Sequence, residues 1–65
     1  MKNFIQIKNH RFRKSTIKMY LPWESKKLNV YFSTSRDRKE LETFSFETEK
    51  ERDETINMLD LELNV

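Results

Sequence analysis

A period of two in the large apolar side chains is the feature that most constrains this chain, because it recurs in four short segments. Those segments are residues 3–8, 15–21, 28–34 and 43–47, and each is rich in β-branched or aromatic residues. Successive side chains of a β-strand point to opposite faces, so this period of two predicts four strands. Short connections between sequential strands favour an antiparallel meander.

The period changes after the fourth predicted strand. Apolar residues now recur at spacings of three and four, at Ile56, Leu59 and Leu63. This spacing predicts a helix from Glu49 to about Leu63. Thr48 and Glu51 form a capping box at its start, since the hydroxyl can accept a free backbone N–H and the carboxylate can reach back. The chain is therefore predicted to be an α+β domain, a four-stranded antiparallel meander sheet with one C-terminal helix packed on one face (ββββα).

Index parity gives a register for this sheet. Opposed residues of an antiparallel pair have a constant index sum and share a face. One set of pairs places every large aliphatic strand residue on the face that the helix covers: Ile5 with Ile17, Ile7 with Ser15, Met19 with Val30, Leu21 with Leu28, Val30 with Phe46 and Phe32 with Phe44. Residues 9–13 and 22–27 are then loops.

Length and composition narrow the class of protein. The chain has 65 residues, which is near the lower limit for a fold held by packing alone. It has no cysteine and one histidine, which excludes disulfides and the usual zinc ligand sets. Its longest apolar runs are only three residues, and no signal sequence is visible. We therefore expect one cytoplasmic domain over residues 1–65 that gains stability by forming a homo-oligomer.

Glycine is absent from the sequence. Its absence removes two-residue hairpin turns of the Asn-Gly type, so longer loops are expected and left-handed turn positions should fall on Asn or Asp. It also excludes the glycine-rich loops that cradle phosphate in nucleotide-binding folds.

Charge is divided unevenly along the chain. Residues 1–39 hold eleven Lys and Arg against two acids, and residues 40–65 hold nine acids against Lys50 and Arg52. The two parts thus carry +9 and −7, and such an asymmetry indicates an anionic partner. Pairing between the two parts is the competing interpretation.

Catalysis is not expected, because an enzyme needs a positioned acid, base or nucleophile in a concave site. His10 lies in a basic segment with no nearby acid apparent in the sequence. The helix acids Glu49, Glu51 and Asp53 are interpreted as an exposed polar face, with Lys50 and Arg52 pairing locally, rather than as metal ligands. No catalytic residue, metal or cofactor is predicted.

Aromatic and basic side chains alternate on the uncovered face of the predicted sheet. In the registers above, Phe4 lies beside Lys18 and Lys18 beside Tyr31, with Tyr20 in the next row and basic loops at the ends. Rings interleaved with cations on an open sheet suit single-stranded DNA or RNA. The predicted binding residues are Phe4, Lys8, Arg11, Arg13, Lys14, Lys18, Tyr20, Tyr31, Arg36 and Arg38.

Two other interpretations of this face stay open. Tyr and Phe favour strands in any case, and Lys is ordinary on a solvated face. Alternatively, the chain is a protein–protein interaction module or a small regulatory subunit that self-associates or binds a partner protein. The same face, with Trp23 added, would then supply the anchoring rings.

Overall fold

The computed structural model describes residues 3–34 and 38–63, and within them the chain is α+β, as predicted. The elements are β1 (Phe4–Ile7), β2 (His10–Arg13), a 3-10 turn (Lys14–Thr16), β3 (Ile17–Trp23), β4 (Lys27–Ser33), β5 (Lys39–Ser45) and α1 (Glu49–Leu63). They form a two-stranded sheet, β1-β2, and a three-stranded sheet, β3-β4-β5. The prediction of one four-stranded meander is thus wrong in detail.

A tight hairpin replaces the first predicted loop. β1 pairs antiparallel with β2, which lies within the predicted loop 9–13, and not with the strand that contains Ile17. Ile5 lies opposite Phe12, and both side chains are buried. Burying a ring of this size stabilises by roughly 1.5–3 kcal/mol, which explains why the basic segment around Phe12 becomes a strand.

Two turns hold residues with long charged side chains in the left-handed region of backbone conformation. Lys8, in the two-residue connection between β1 and β2, and Glu24, between β3 and β4, both have φ of 54°. The expectation that such positions fall on Asn or Asp, and that loops are longer, is wrong for the hairpin. A left-handed conformation costs a residue with a Cβ roughly 1–2 kcal/mol, which the paired strands on either side offset.

A bulge sets the register between β3 and β4. Ile17 lies opposite Phe32, as the alternation predicts, but the register shifts between Ile17 and Met19, so that Met19 lies opposite Tyr31. The predicted pairs of Met19 with Val30 and of Leu21 with Leu28 are therefore wrong. A shift of the register by one residue moves a side chain to the other face of the sheet. Tyr20 thus joins the core, and Met19 is 50% exposed.

β5 begins earlier than predicted. It covers Lys39–Ser45 rather than residues 43–47, and it pairs with β4 so that Leu28 lies opposite Phe44 and Phe32 opposite Glu40. The predicted pairing of Phe32 with Phe44 is thus displaced by four residues. Because the displacement is even, Phe44 keeps its predicted place on the core face.

The hairpin and α1 together cover one face of the three-stranded sheet. The Phe12 ring lies 5.0 Å from that of Phe32 and 6.0 Å from that of Phe44, while Leu59 of α1 is fully buried. The buried core consists of Ile5, Ile7, Phe12, Leu28, Val30, Phe44 and Leu59. The helix therefore covers the sheet as predicted, but it shares that role with the hairpin.

The start of α1 is fixed by two anchors. The N–H of Glu51 donates to Oγ1 of Thr48 at 3.1 Å, which confirms the predicted cap. Arg52 is buried, and its Nη1 donates to the carbonyls of Glu24 at 3.2 Å and Lys27 at 3.3 Å. Arg52 pairs locally with Asp53 as expected, but it does not belong to an exposed face.

Candidate functional site

The outward face of the hairpin brings together three of the predicted binding residues. Phe4 lies opposite Arg13, and Arg11 follows on the same face because alternate residues of β2 share a side. The Cζ atoms of Arg11 and Arg13 lie 5.0 and 5.7 Å from the centre of the Phe4 ring, within cation–π distance. The ring is still 43% exposed. We call Phe4, Arg11 and Arg13 the hairpin patch.

A cleft of about 400 Å³ adjoins this patch, and we call it the hairpin cleft. It is lined by Asn3, Phe4, Arg13, Lys14 and Ser15. The backbone N–H of Lys14 donates to the carbonyl of Asn3 at 2.9 Å, which holds the segment after β2 against the segment before β1. An aromatic residue and two basic residues, of which Lys14 pairs with Glu62, therefore line the cleft together.

The hairpin is strongly positive and mostly unneutralised. Residues 3–14 contain Lys8, Arg11, Arg13 and Lys14 and no acid, a charge of +4, whereas α1 has six acids against two cations, a charge of −4. Lys14 pairs with Glu62 of α1 at 3.0 Å. In the part of the chain that the structure describes, no carboxylate forms an ion pair with Arg11 or Arg13. Pairing between the two parts of the chain therefore neutralises only Lys14 of these four cations.

His10 lies on β2 rather than in a loop. Its ring packs near those of Phe12 and Phe44, at 5.8 and 5.4 Å, and its Nε2 lies 3.8 Å from Oε2 of Glu42. An acid thus stands near His10 that the sequence did not reveal. Both side chains are well exposed to solvent. Within residues 3–34 and 38–63, no group of three or more His, Asp or Glu is arranged to hold a metal ion.

The opposite face of the three-stranded sheet, which we call the open face, carries both apolar and polar side chains. Met19, Tyr31 and Leu41 form a row across its three strands, and Met19, Trp23 and Leu41 are each about half exposed. A hollow of about 320 Å³, the sheet hollow, lies on this face. Its lining residues are Lys18, Met19, Tyr31, Phe32 and Lys39.

The predicted binding residues thus fall into separate groups. Lys18 and Tyr31 both line the sheet hollow, but Phe4 lies in the other layer, so the predicted row of these three residues does not form. Lys8 lies at the hairpin tip with its Nζ 5.0 Å from the centre of the Phe46 ring. Arg38 is exposed, and Arg36 lies outside the described residues.

Tyr20 is the clearest correction among the predicted site residues. It packs against the core, and its phenol donates a hydrogen bond to Oδ1 of Asp60 in α1. Burial, together with that bond and the negative charge of Asp60, raises the pKa of Tyr20 to about 12. Tyr20 is therefore a structural residue and is not on the open face.

Sequence reasoning missed several residues of these surfaces. Asn3 and Ser15 of the hairpin cleft carry no signal of their own, because only the unexpected hairpin brings them together. Leu41 could have been found, since Lys39, Leu41 and Thr43 extend the alternation of the fourth segment towards the N-terminus.

Comparison with protein-family models, with curated proteins and with solved structures gives no match to this chain. Function is therefore inferred from the chemistry of the hairpin patch, the hairpin cleft and the open face.

In the described part of the chain, α1 is the one α-helix, and neither its length nor its polar composition would allow it to cross a membrane.

Proposed function

We propose that this chain is a small, non-catalytic binding protein of the cytoplasm that binds single-stranded DNA or RNA. The hairpin patch and the hairpin cleft would form the binding site. The observation that carries this proposal is that Arg11 and Arg13, which form no ion pair in the described part of the chain, lie against the half-exposed ring of Phe4. Guanidinium groups without a carboxylate partner attract phosphate, and among the described residues no carboxylate pairs with Arg11 or Arg13.

The arrangement matches what an unpaired nucleotide presents. Unstacked bases pack on aromatic rings and on guanidinium planes, and both kinds of surface occur in the hairpin patch. Arg13 lines the adjoining cleft, where its guanidinium group can neutralise the phosphate of the same nucleotide. A four-residue strand is about 13 Å long, which favours a site for a few nucleotides rather than a long tract.

A fluorescence titration of a short labelled oligothymidylate at several salt concentrations tests the proposal. Arg11→Gln and Arg13→Gln should each lower the salt slope by about 0.7 to 1 unit and weaken binding to all sequences alike. Phe4→Ala should cost about 1–3 kcal/mol of binding free energy with little change in slope, because a stacked base is lost rather than a phosphate contact.

Two control variants test whether binding depends on the hairpin patch, on general positive charge or on the open face. Lys50→Gln removes one exposed cation on α1 and should leave the slope unchanged. Tyr31→Ala removes the ring in the sheet hollow. A loss of binding free energy equal to that of Phe4→Ala would show that the open face takes part in binding. Circular dichroism checks the fold of every variant. If the wild-type protein fails to bind even at low salt, nucleic-acid binding is wrong.

The second candidate function is a protein–protein interaction module or small regulatory subunit. The open face favours it, because exposed Met19, Trp23 and Leu41 form an apolar surface beside the ring of Tyr31. Contiguous exposed apolar surface is typical of protein interaction sites. Absence of nucleic-acid binding together with self-association or capture of a partner protein at this face would favour this function over the first.

A further inference from the structure

One leucine of α1 is almost completely exposed and has acidic neighbours. Leu61 is 83% exposed, the largest exposed fraction among the large apolar side chains described. Glu54 and Asn57 lie on the same side of the helix, seven and four residues earlier, and Asp53 and Glu62 flank this side. Glu62 pairs with Lys14 and Asp53 with Arg52, whereas Glu54 forms no ion pair in the described part of the chain. The outer side of α1 therefore presents an exposed leucine beside one unpaired carboxylate, that of Glu54.

The sheet hollow combines apolar side chains with positive charge. Met19 and Tyr31 form its apolar floor, Leu41 extends that floor across the sheet, and Lys18 and Lys39 stand at its sides. Among the residues that the structure describes, neither lysine forms an ion pair. The strand residues on the open face include lysines and no acid, so the face selects a partner that is both apolar and anionic.

From this match we propose that the chain associates head to tail with further copies of itself. Leu61 of one copy enters the sheet hollow of the next, and Glu54 on the same side of α1 lies near Lys18 and Lys39 of that copy. The charge pattern disfavours the alternative in which two open faces stack on each other, because their lysines would be brought together. This inference concerns surfaces that the proposed nucleic-acid site does not use.

The fold places the two surfaces so that they cannot meet within one molecule. α1 packs on one face of the three-stranded sheet, and the sheet hollow lies on the other face. The contact therefore forms only between copies, and it joins unlike patches. Such an interface repeats from copy to copy, so it produces short chains or a closed ring rather than a two-fold dimer.

The strength of association should depend on salt. The contact is small and its charges lie at a solvated rim, so screening weakens it strongly over physiological ionic strengths. Sedimentation velocity on the wild-type protein should show an average mass that rises with concentration at low salt and returns towards the monomer at high salt. A wild-type protein that stays monomeric at millimolar concentration and low salt overturns the proposal.

A mixing experiment tests the head-to-tail arrangement directly. Leu61→Lys disables the helix side and leaves the hollow intact, whereas Lys39→Glu disables the hollow and leaves the helix side intact. Each variant alone should be monomeric, and an equimolar mixture should form a complex of one copy of each, because one intact contact then remains. Lys26→Glu, an exposed lysine in the turn after β3, is the matched charge control and should still form longer assemblies.

Two outcomes of the mixing experiment overturn the proposal. If either single variant associates as strongly as the wild-type protein, the contact uses another surface or is two-fold. If the mixture stays monomeric while Lys26→Glu associates, Leu61 and Lys39 do not meet across one interface. Circular dichroism establishes that both variants are folded, and neither substitution alters a core residue.

Discussion

Tyr20 and Asp60 are joined by a hydrogen bond from phenol to carboxylate that connects β3 to the last turns of α1 across forty residues of sequence. At the other end of the helix, Arg52 donates to the carbonyls of Glu24, in the connection between β3 and β4, and of Lys27, the first residue of β4. Both ends of α1 are thus tied to the sheet by polar contacts, while Leu59 is buried between them.

Replacing Tyr20 with Phe should lower the free energy of unfolding by about 1 kcal/mol, because the hydrogen bond is lost while Asp60 stays hydrated. Urea unfolding followed by circular dichroism measures the change. Tyr31→Phe is the matched control and should alter stability by less than about 0.5 kcal/mol. Equal effects from the two variants would contradict a specific role for the bond between Tyr20 and Asp60.

Alkaline pH should remove the stabilisation that Tyr20 provides. The pKa of Tyr20 is raised from 10.0 to about 12 in the folded state, so the unfolded state loses its phenolic proton first. This stabilisation is fully present below pH 10 and is lost as the pH rises to about 12. The difference in unfolding free energy between the wild-type protein and Tyr20→Phe should shrink over this range. A constant difference would contradict the coupling.

Removing the helix cap at Thr48 should destabilise the protein less than removing the buried side chain of Leu59. Thr48→Ala removes the cap and should cost roughly 1 kcal/mol. Leu59→Ala empties a fully buried position and should cost roughly 2–5 kcal/mol. Denaturant unfolding of the two variants provides the comparison, with Asn57→Ala as an exposed control on the same helix. Equal and small losses for both would mean that α1 does not pack on the sheet in this way.

Arg52→Lys should destabilise the fold although it keeps the charge. The planar guanidinium reaches two carbonyls and Asp53 at once, and a lysine ammonium cannot reproduce that fork. We expect a loss of about 1–3 kcal/mol, the usual cost of leaving buried acceptors unsatisfied. Thermal unfolding measures it, and Lys50→Arg at an exposed position should have almost no effect. A melting temperature as high as that of the wild-type protein would show that Arg52 is dispensable.

Glu24→Asn should stabilise the protein. Glu24 has a positive φ, a left-handed conformation that costs most residues roughly 1–2 kcal/mol and that Asn tolerates better. The substitution also removes the exposed ion pair of Glu24 with Lys27, which is worth about 0–1 kcal/mol. The relief of backbone strain exceeds this loss. Denaturant unfolding should therefore give a gain of about 0.5–1 kcal/mol. Ser25→Asn is the control, and a gain of the same size there would point away from backbone strain.

Local signals explain what the sequence could predict. The helix begins at Glu49 and ends at Leu63 as expected, because the cap at Thr48 and the apolar spacing both lie within the segment itself. The core faces of β1 and β4 also follow from alternation alone, as buried Ile5 and Leu28 show.

Registers could not be predicted from alternation because they depend on backbone irregularities and partners elsewhere in the chain. A bulge after Ile17 leaves no mark on the sequence, yet it exchanges the faces of Met19 and Tyr20. An even displacement, as between β4 and β5, leaves the apolar pattern unchanged and is therefore invisible to it. Phe12 was assigned to a loop because the predicted pairing of Ile5 with Ile17 left residues 9–13 between two strands.

The candidate site was predicted in its residues but not in its layout. Phe4, Arg11 and Arg13 were all named from the sequence, and the hairpin brings them together on a surface different from the expected one. Tyr20 was misplaced for the same reason as Met19. The aromatic and basic pattern thus indicated the chemistry of the surface, whereas its geometry depended on which strands pair.

Each strand in the described part of the chain pairs with a neighbour in sequence, β1 with β2 and β3 with β4 and then β5. Local pairings close short loops, so both sheets can form early, on a timescale of about microseconds to milliseconds. The contacts of Leu59 with the core, and those of Phe12 with Phe32 and Phe44, join distant parts of the sequence and should form later. The rate at which the protein folds should therefore be set by the docking of α1 and of the hairpin on the three-stranded sheet, and not by the pairing of neighbouring strands.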